Sequence, residues 1–289
     1  IAMVAAGNSI VFNVHPNARE CSMANVRLLH HAITRAGGPA NLVGILIRQE
    51  VLVRVLLEHR HVVRLLLNDR LPLPQHYWIA FSGGLDSTVL LNLLRPLRDS
   101  LRAPLSAIHI DHGLQSGAAA WAAHCAQECG RLKIPLQTLR VDANAARGES
   151  PEAAARRARY AAIAGAIEPG AMLMTAHHQD DQAETLLLAL LRGAGVEGLA
   201  AMPLVRAWYG GWHARPLLGI GRAQIRGWAI GQGLRWIEDP SNISLAPDRN
   251  YLRHQVMPAL SARWPGAPCS WLASDPWWPT SCSITCTVI

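Results

Sequence analysis

Cysteine, charge and long apolar runs are all scarce in this 289-residue sequence. The six cysteines form no CxxC pair, which argues against a zinc knuckle or a redox pair and favours reduced thiols in a cytoplasmic protein. No stretch of about eighteen uncharged apolar residues occurs, so we expect no membrane span. Ile1–Ala6 lacks the basic and apolar regions of a secretory signal, and we predict none there.

Charged residues make up only 16% of the chain and hydrophobic residues 50%, which excludes a disordered or solvating chain. The length allows one large domain or two smaller ones with an ample core. The net charge of +7, supplied mostly by arginine, suits a polyanionic partner such as nucleic acid or a nucleotide. A general preference for arginine explains the same charge equally well, so composition alone does not identify a partner.

The most informative feature is Ile79–Thr88, IAFSGGLDST, in which a short apolar strand leads through two glycines into a helix. Glycines let the backbone approach a phosphate closely, and the free N–H groups of the first helical turn favour an anion. Ser82 and Ser87 add hydroxyl donors, and Asp86 adds a carboxylate that could hold Mg²⁺ against phosphate oxygens. No lysine follows the glycines, so this is not the GxxxxGK phosphate loop. The pattern predicts a phosphate cradle.

From Tyr77 onward, apolar strands alternate with helices, which predicts an α/β domain built on a doubly wound parallel sheet with helices on both faces. We predict strands over 78–81, 105–111, 136–141 and 171–176, and helices over 87–97, 117–132, 151–167 and 180–191. Ligands of such sheets bind beyond the carboxyl ends of the strands. Three clusters with reactive side chains fall there, which indicates a single site: Ser82–Ser87, His109–His112 and Ala176–Asp181.

The cluster after the second predicted strand allows more than one interpretation. His109, Asp111 and His112 place two imidazoles around a carboxylate, which could ligate a metal. A pocket that contacts adenine and ribose fits these residues better, and an ordinary structural turn remains the alternative.

The cluster after the fourth predicted strand combines a histidine with acidic residues. His177, Asp181 and Glu184 are spaced i, i+4 and i+7, so they share one helix face. Acidic residues in a first turn also offset the positive helix end, so a chemical role requires Mg²⁺ or a base poised for a nucleophile. On the preceding helix, Arg156 and Arg159 share a face that suits a phosphate or a carboxylate, with a solvated basic face as the alternative.

Together these segments resemble bacterial tRNA(Ile)-lysidine synthetase, of the PP-loop ATP pyrophosphatase superfamily. The resemblance runs in order over about residues 77–268 and is carried by SGGLDS, HIDHGL, EAAARRARY, TAHHQDDQAET, LRGAGVEGLAAM, ARPLL and IEDPSN…RNYLRHQVMPAL. SGGLDS alone indicates only the superfamily, whereas LRGxGxxGL and DPSN…RNxxR are far more particular.

The resemblance implies an adenine nucleotide alpha hydrolase-like fold with a small helical C-terminal extension, and a two-step ligation. ATP would adenylate the C2 oxygen of the wobble cytidine of tRNA(Ile) with a CAU anticodon and release pyrophosphate. The ε-amine of lysine would then attack C2 and expel AMP, forming lysidine. The implied cofactors are ATP and Mg²⁺. The implied partners are the anticodon region of tRNA(Ile) and L-lysine, in the cytoplasm and without a membrane, and a homodimer is left open.

The resemblance also implies roles for individual residues, by their position in the family's motifs. ATP would be bound by Ser82, Gly83, Gly84, Leu85, Asp86, Ser87, His109, Asp111 and His112, with Asp86 as the Mg²⁺ partner. The catalytic residues would be His177, Asp181, Arg156 and Arg159. Lysine and tRNA would be bound by Glu184, Arg192, Asp239, Asn242, Arg249, Asn250 and Arg253.

Four segments are predicted along the chain. Residues 1–75 are an atypical, partly helical N-terminal extension, with a helix from Leu42 to Leu67. Residues 76–217 are the ATP-binding α/β domain, and 218–268 are a helical segment that closes the active site. Residues 269–289 depart from the family pattern and are predicted to be a disordered tail.

Two alternatives to lysidine synthesis stay open. One is another PP-loop ATP pyrophosphatase, which thiolates tRNA or amidates a small molecule. The other is a chain that binds nucleotide without catalysis, since the family's C-terminal tRNA-binding regions do not follow in this sequence.

Overall fold

The computed structural model describes residues 10–13, 43–46, 73–111, 118–141, 151–195, 199 and 201–264. The chain divides into two compact units, Ile1–Glu58 and His59–Ile289. The predicted tail, 269–289, and His112 lie outside the described residues.

Two parallel strands are described in the first unit, β1 (Ile10–Asn13) and β2 (Val43–Leu46). The predicted helix from Leu42 to Leu67 is therefore wrong at Val43–Leu46. The physical reason is that a short apolar run such as VGIL carries too few residues for its period to separate a helix from a strand, and pairing with β1 decides the outcome. The remainder of that helix lies outside the described residues.

The second unit is built on a six-stranded sheet. Its strands are β3 (Tyr77–Ala80), β4 (Leu105–Asp111), β5 (Leu136–Arg140), β6 (Met172–Met174), β7 (Val205–Trp208) and β8 (Gly211–Ala214). They lie in the order β5-β4-β3-β6-β8-β7, and every adjacent pair is parallel except β7 and β8. The predicted doubly wound parallel sheet is confirmed. The sequence did not reveal the β7–β8 hairpin, because two four-residue strands of mixed polarity give no clear period.

The four predicted helices are present within a few residues of their predicted bounds. They are α1 (Leu85–Leu94), α2 (Ala118–Leu132), α3 (Pro151–Ala166) and α4 (Gln179–Leu191), and a 3₁₀ helix over Arg95–Ser100 extends α1. Towards the C-terminus follow α5 (Arg222–Gly231), a 3₁₀ turn (Pro240–Ile243), α6 (Asp248–Tyr251), a π-helical turn (Leu252–Val256) and α7 (Met257–Arg263). Among the described helices, none is both long and apolar enough to cross a membrane.

The core explains why the central strands read as continuous apolar runs. Nearly every side chain of β3 and β6 is buried, as expected for parallel strands covered by helices on both faces. On one face Trp78, Ile108 and Leu173 pack against Ile163 of α3. The strand order reverses between β3 and β6, so the loops that follow these two strands flank a crevice at the carboxyl edge of the sheet.

Candidate active site

A cavity of about 520 Å³ opens at this crevice. Its walls come from the loops after β3 and β6, the end of β4, helix α3 and the segment around α5 and the following 3₁₀ turn. The sequence-predicted site residues that line it are Ser82, Gly84, Leu85, Asp86, Ser87, His109, Asp111, Arg159, His177, Asp239 and Asn242. The three strand-end clusters thus meet in one place.

The phosphate loop, Ser82–Ser87, forms a turn closed by its own hydroxyl groups. The Ser82 and Ser87 hydroxyl oxygens are 3.0 Å apart, and the Ser87 hydroxyl also donates to the Gly84 carbonyl over 3.1 Å. Gly84 is the N-cap of α1 and has no side chain to cap it, so the first amides of the helix stay available to an anion. This geometry fits the phosphate cradle that the sequence predicts, and phosphate binding itself stays a prediction.

Gly83 is the position in this loop where only glycine fits without strain. Its φ is +78°, and a Cβ there would lie 2.9 Å from Cys125 Sγ and 3.0 Å from Trp121 Nε1. The Trp121 indole donates to the Ser82 carbonyl over 2.6 Å, and the Ile237 amide donates to the Gly83 carbonyl over 2.9 Å. Both α2 and the segment after α5 therefore hold the loop in place.

Asp86 offers an incompletely satisfied carboxylate beside the phosphate loop. Its Oδ1 atom is buried and has no hydrogen-bond partner among the described residues, while Oδ2 lies 3.7 Å from His178 Nε2. Burial raises the pKa of Asp86 above its ordinary value, although the neighbouring His178 lowers it. The described residues contain no group of three or more His, Cys, Asp or Glu that could hold a metal alone. A cation at Asp86 would therefore need further oxygen ligands, such as phosphates.

His178 begins helix α4 and links it to the phosphate loop. Its backbone amide donates to Asp181 Oδ2 over 3.0 Å, and the Asp181 amide donates to His178 Nδ1 over 3.4 Å, which forms a capping box. Burial alone would lower the pKa of His178, but Asp181, Asp180 and Asp86 together raise it above its ordinary value. His178 was not among the predicted site residues, although the acidic first turn that follows it marks the start of a helix.

An ion-pair cluster joins α4 to the C-terminal helices. Arg253 donates to both Glu184 oxygens, over 2.7 and 2.9 Å, and to Asp181 Oδ1 over 3.3 Å. Arg249 donates to Thr185 Oγ1 over 3.1 Å and lies 3.9 Å from Glu184 Oε2. Burial raises the pKa of Glu184, which is 0% exposed, and Arg253 opposes that rise. The four predicted residues Asp181, Glu184, Arg249 and Arg253 are thus brought together.

His177 lines the cavity but has different partners from Asp181. Its Nδ1 atom lies 2.7 Å from Thr175 Oγ1, and the same hydroxyl oxygen lies 2.9 Å from His213 Nε2. Burial lowers the pKa of His177 to about 3, against the opposing influence of Asp181. Burial and the neighbouring Arg215 lower the pKa of His213 to about 2. Both rings are therefore neutral at physiological pH.

The remaining predicted residues fall into different positions. His109 is buried, and its Nδ1–H donates to the Phe81 carbonyl over 2.9 Å, so it braces β3 while it lines the cavity. Asp111 lies 3.6 Å from Arg140. Asn250 donates to the Ser241 and Ser244 carbonyls and so supports the loop before α6. Arg192 is exposed at the C-terminal end of α4.

The arginines of α3 flank the ring of Tyr160. The Cζ atoms of Arg156 and Arg159 lie 5.3 and 5.8 Å from its centroid. Arg159 and Tyr160 line the cavity, whereas Arg156 borders an outer depression together with Arg157 and Arg206. The shared helix face was predicted, but the separation of the two arginines between two surfaces depends on the position of β7 and could not be predicted.

A profile of the PP-loop domain matches residues 58–260, more than half of the chain. This chain belongs to the PP-loop family.

Among curated proteins, the chain is similar to bacterial tRNA(Ile)-lysidine synthases, which confirms the resemblance seen in the sequence. It is 56% identical over 196 residues to that of Pseudomonas fluorescens strain Pf0-1, covering 68% of this chain and 44% of the relative. It is 54% identical over 190 residues to that of Pseudomonas aeruginosa, covering 65% of this chain and 42% of the relative. The chain spans less than half the length of these relatives.

Among solved structures, the chain is similar to the U34-tRNA thiolase NcsA from Methanococcus maripaludis. The TM-score is 0.63 and the sequence identity 18%, and the match covers 78% of this chain and 77% of that chain. At this identity the likeness shows the fold alone.

Proposed function

We propose that this chain carries out the ATP-dependent ligation of lysine to the wobble cytidine of tRNA(Ile). The observation that carries the proposal is that one cavity joins a phosphate loop to a separate set of polar side chains from α3 and the β6–α4 loop. Such a cavity can hold ATP and a nucleobase side by side. The identity of 50–56% to tRNA(Ile)-lysidine synthases supports lysine as the second substrate.

The phosphate loop is proposed to bind the ATP phosphates through the first amides of α1 and the Ser82 and Ser87 hydroxyls. The buried, unpartnered Oδ1 of Asp86 fits a role as a Mg²⁺ ligand. When bound, Mg²⁺ would neutralise charge on the leaving pyrophosphate. His109 and Asp111, at the end of β4, are proposed to border the nucleoside part of ATP.

The reacting cytosine is proposed to bind on the opposite wall of the cavity, next to Arg159 and His177. Arg156, on the outer depression with Arg157 and Arg206, is proposed to contact RNA phosphates instead of the base. The ion-pair cluster of Asp181, Glu184, Arg249 and Arg253 is proposed to shape the lysine side of the site, with Asp239 and Asn242 closing its mouth. We propose that the protein acts in the cytoplasm. That it forms a homodimer stays a prediction.

The thiolation alternative is disfavoured by the cysteines of α2. Cys125 and Cys129 are both buried, and burial raises the pKa of each thiol to about 12. Thiols with such pKa values stay protonated at neutral pH and are poor nucleophiles. Among the described residues, neither cysteine is suited to carry sulfur.

The proposal is tested with an RNA hairpin of the tRNA(Ile) anticodon arm, labelled ATP and L-lysine. We expect AMP release that requires both RNA and lysine, and a lysine adduct on the wobble cytidine detected by mass spectrometry. A hairpin with uridine at the wobble position is the matched RNA control. Asp86→Ala, which removes the proposed Mg²⁺ ligand, should reduce AMP release. Asp99→Ala is its control, because Asp99 is exposed on the 3₁₀ helix. ATP binding without AMP release at saturating RNA and lysine would contradict the proposal.

A further inference from the structure

Three buried polar side chains have no role in the function proposed above; Thr175 lines the cavity, and His213 and Arg215 lie behind it. Thr175 directly follows β6, His213 lies within β8 and Arg215 directly follows β8; they are 7%, 0% and 2% exposed. The Thr175 amide donates to the Ala214 carbonyl over 3.0 Å, so the pairing of the two strands brings the three together. Burying such groups is costly unless each is hydrogen-bonded, and here they bond to one another.

The direction of the hydrogen bonds can be followed from Arg215 inward. A guanidinium only donates, and Arg215 Nη2 lies 3.3 Å from His213 Nδ1, so Nδ1 must accept. Because the pKa of His213 is lowered to about 2, the ring carries a single proton, which is then on Nε2. His213 Nε2 therefore donates to Thr175 Oγ1 over 2.9 Å.

The same reasoning reaches His177. The Thr175 hydroxyl accepts from His213 and keeps its own proton, which it can donate to His177 Nδ1 over 2.7 Å. With a pKa lowered to about 3, His177 is also neutral, so an accepting Nδ1 leaves the proton on Nε2. Among the described residues, no hydrogen bond is made to His177 Nε2, and the ring lines the cavity.

We propose that Arg215, His213 and Thr175 form a one-way hydrogen-bond chain that fixes the proton of His177 on Nε2, so that His177 offers the cavity a hydrogen-bond donor. The three are positioning residues, and His177 is the group that would donate to the substrate. A fixed donor stabilises negative charge that grows on a phosphate or carbonyl oxygen, whereas a nitrogen lone pair in its place would repel it. The catalytic meaning of this donor rests on the proposed function; the proton position does not.

A proton fixed on Nε2 excludes one of the roles that the sequence leaves open for His177. With Nδ1 accepting from Thr175 and the proton held on Nε2, His177 presents no nitrogen lone pair to the cavity, so it does not act as a general base there; its lowered pKa agrees with this. In the adenylation step the cytosine O2–phosphorus bond forms and the bond from phosphorus to pyrophosphate breaks. His177 gains and loses no proton in this step.

The direct test is nuclear magnetic resonance of the full chain labelled with ¹⁵N-histidine. Two-bond ¹⁵N–¹H correlations distinguish a ring protonated on Nε2 from one protonated on Nδ1, and His177→Asn identifies the signals of His177. We expect the Nε2–H form at pH 7. Finding the Nδ1–H form, or an even mixture, in the unchanged chain would overturn the proposal.

Matched variants distinguish a hydrogen-bonding role of the Thr175 side chain from a packing role. Thr175→Val removes the hydroxyl at nearly constant volume, and Thr175→Ser keeps it. We expect Thr175→Ser to retain the Nε2–H signature and Thr175→Val to lose it, while His76→Gln, at the amino ends of the central strands, changes nothing. An unchanged Nε2–H signature in Thr175→Val would contradict the proposed hydrogen-bond chain. If that variant does not fold, His213→Gln takes its place. Because the Gln amide keeps a donor near the Nε2 position, we expect this variant to retain the Nε2–H signature, and its loss would contradict the hydrogen-bond chain.

Steady-state kinetics of the Thr175 variants test whether the hydrogen-bond chain contributes to the reaction. With the RNA hairpin, Thr175→Val should lower kcat about 10-fold while the KM for ATP stays within twofold, because only a donor to the reacting groups is lost. An equal kcat for the Val and Ser variants would remove the catalytic meaning. If the unchanged chain shows no ligation at all but has the Nε2–H signature, the proposed function fails and the hydrogen-bond chain stands.

Discussion

The phosphate loop and the ion-pair cluster border the same crevice, but they are built in different ways. The phosphate loop uses six consecutive residues, Ser82–Ser87. Its hydrogen bonds join backbone amides and carbonyls to the hydroxyls of two serines. The ion-pair cluster joins Asp181 and Glu184 to Arg253, about seventy positions later in the chain, through buried charges. The first kind of site depends on local conformation, and the second depends on tertiary packing. Substitutions in the two regions should therefore fail in different ways.

The largest expected effect is on the ion-pair cluster. Arg253→Met should lower the free energy of unfolding by about 3–5 kcal/mol, because it leaves the buried carboxylate of Glu184 without its main partner and removes one of the partners of Asp181. Urea denaturation measures this loss. Arg263→Met, at the exposed end of α7, is the control and should change stability by less than about 0.5 kcal/mol. Equal losses in the two variants would show that the cluster contributes nothing special.

The phosphate loop should instead respond to a single methyl group. Gly83→Ala must adopt a φ near +78° and push against Cys125 and Trp121, which we expect to cost about 1–3 kcal/mol in unfolding free energy and to weaken ATP binding. Gly233→Ala is the matched control, because its φ is +62° and a Cβ there meets nothing within 4 Å. The difference between the two, measured by urea denaturation, isolates the contact. A Gly83→Ala loss no larger than that of Gly233→Ala would refute it.

A substitution of Asp86 tests whether a charged side chain contributes to ligand binding by the phosphate loop, whose other groups are mostly backbone. Asp86→Asn should weaken binding of Mg·ATP by about 1–3 kcal/mol, measured by calorimetry, and should not reduce stability, because burial already penalises this carboxylate. Asp99→Asn, on the exposed 3₁₀ helix, should bind Mg·ATP like the unchanged chain. Unaltered affinity in Asp86→Asn would remove the proposed Mg²⁺ ligand.

The smallest expected effect is a pH dependence from the buried histidines. His177 and His213 have folded pKa values of about 3 and 2, below the ordinary value of 6.5, so between these limits the unfolded chain binds more protons. The contribution of these two rings to stability is therefore greatest above pH 6.5 and falls as the pH decreases. Replacing His213 by Gln should reduce that fall by about 1 kcal/mol at pH 5.5. Urea denaturation at pH 7.5 and 5.5 measures the change in unfolding free energy, with His76→Gln as the control. An equal change in His213→Gln and in the unchanged protein would contradict a neutral buried ring.

The order of elements in the α/β part was predictable, since apolar runs and glycine turns are local signals. The phosphate loop was predictable for the same reason, because its glycines, serines and aspartate are adjacent. The β7–β8 hairpin was not, and with it His213 and Arg215 escaped attention, because nothing local shows that β8 pairs with β6. Trp121 was also missed, since a tryptophan in a helix gives no sign that its indole supports a carbonyl on another loop.

By itself, then, the sequence determined a doubly wound sheet, a phosphate loop after its first strand and a family resemblance carried by contiguous motifs. The tertiary structure decided which polar groups are buried together: Arg253 on Glu184, His178 beside Asp86, and Thr175 between two histidines. The physical reason is that backbone conformation depends on neighbours in the chain. The charge and proton position of a buried side chain depend instead on groups that only folding brings within a few ångströms.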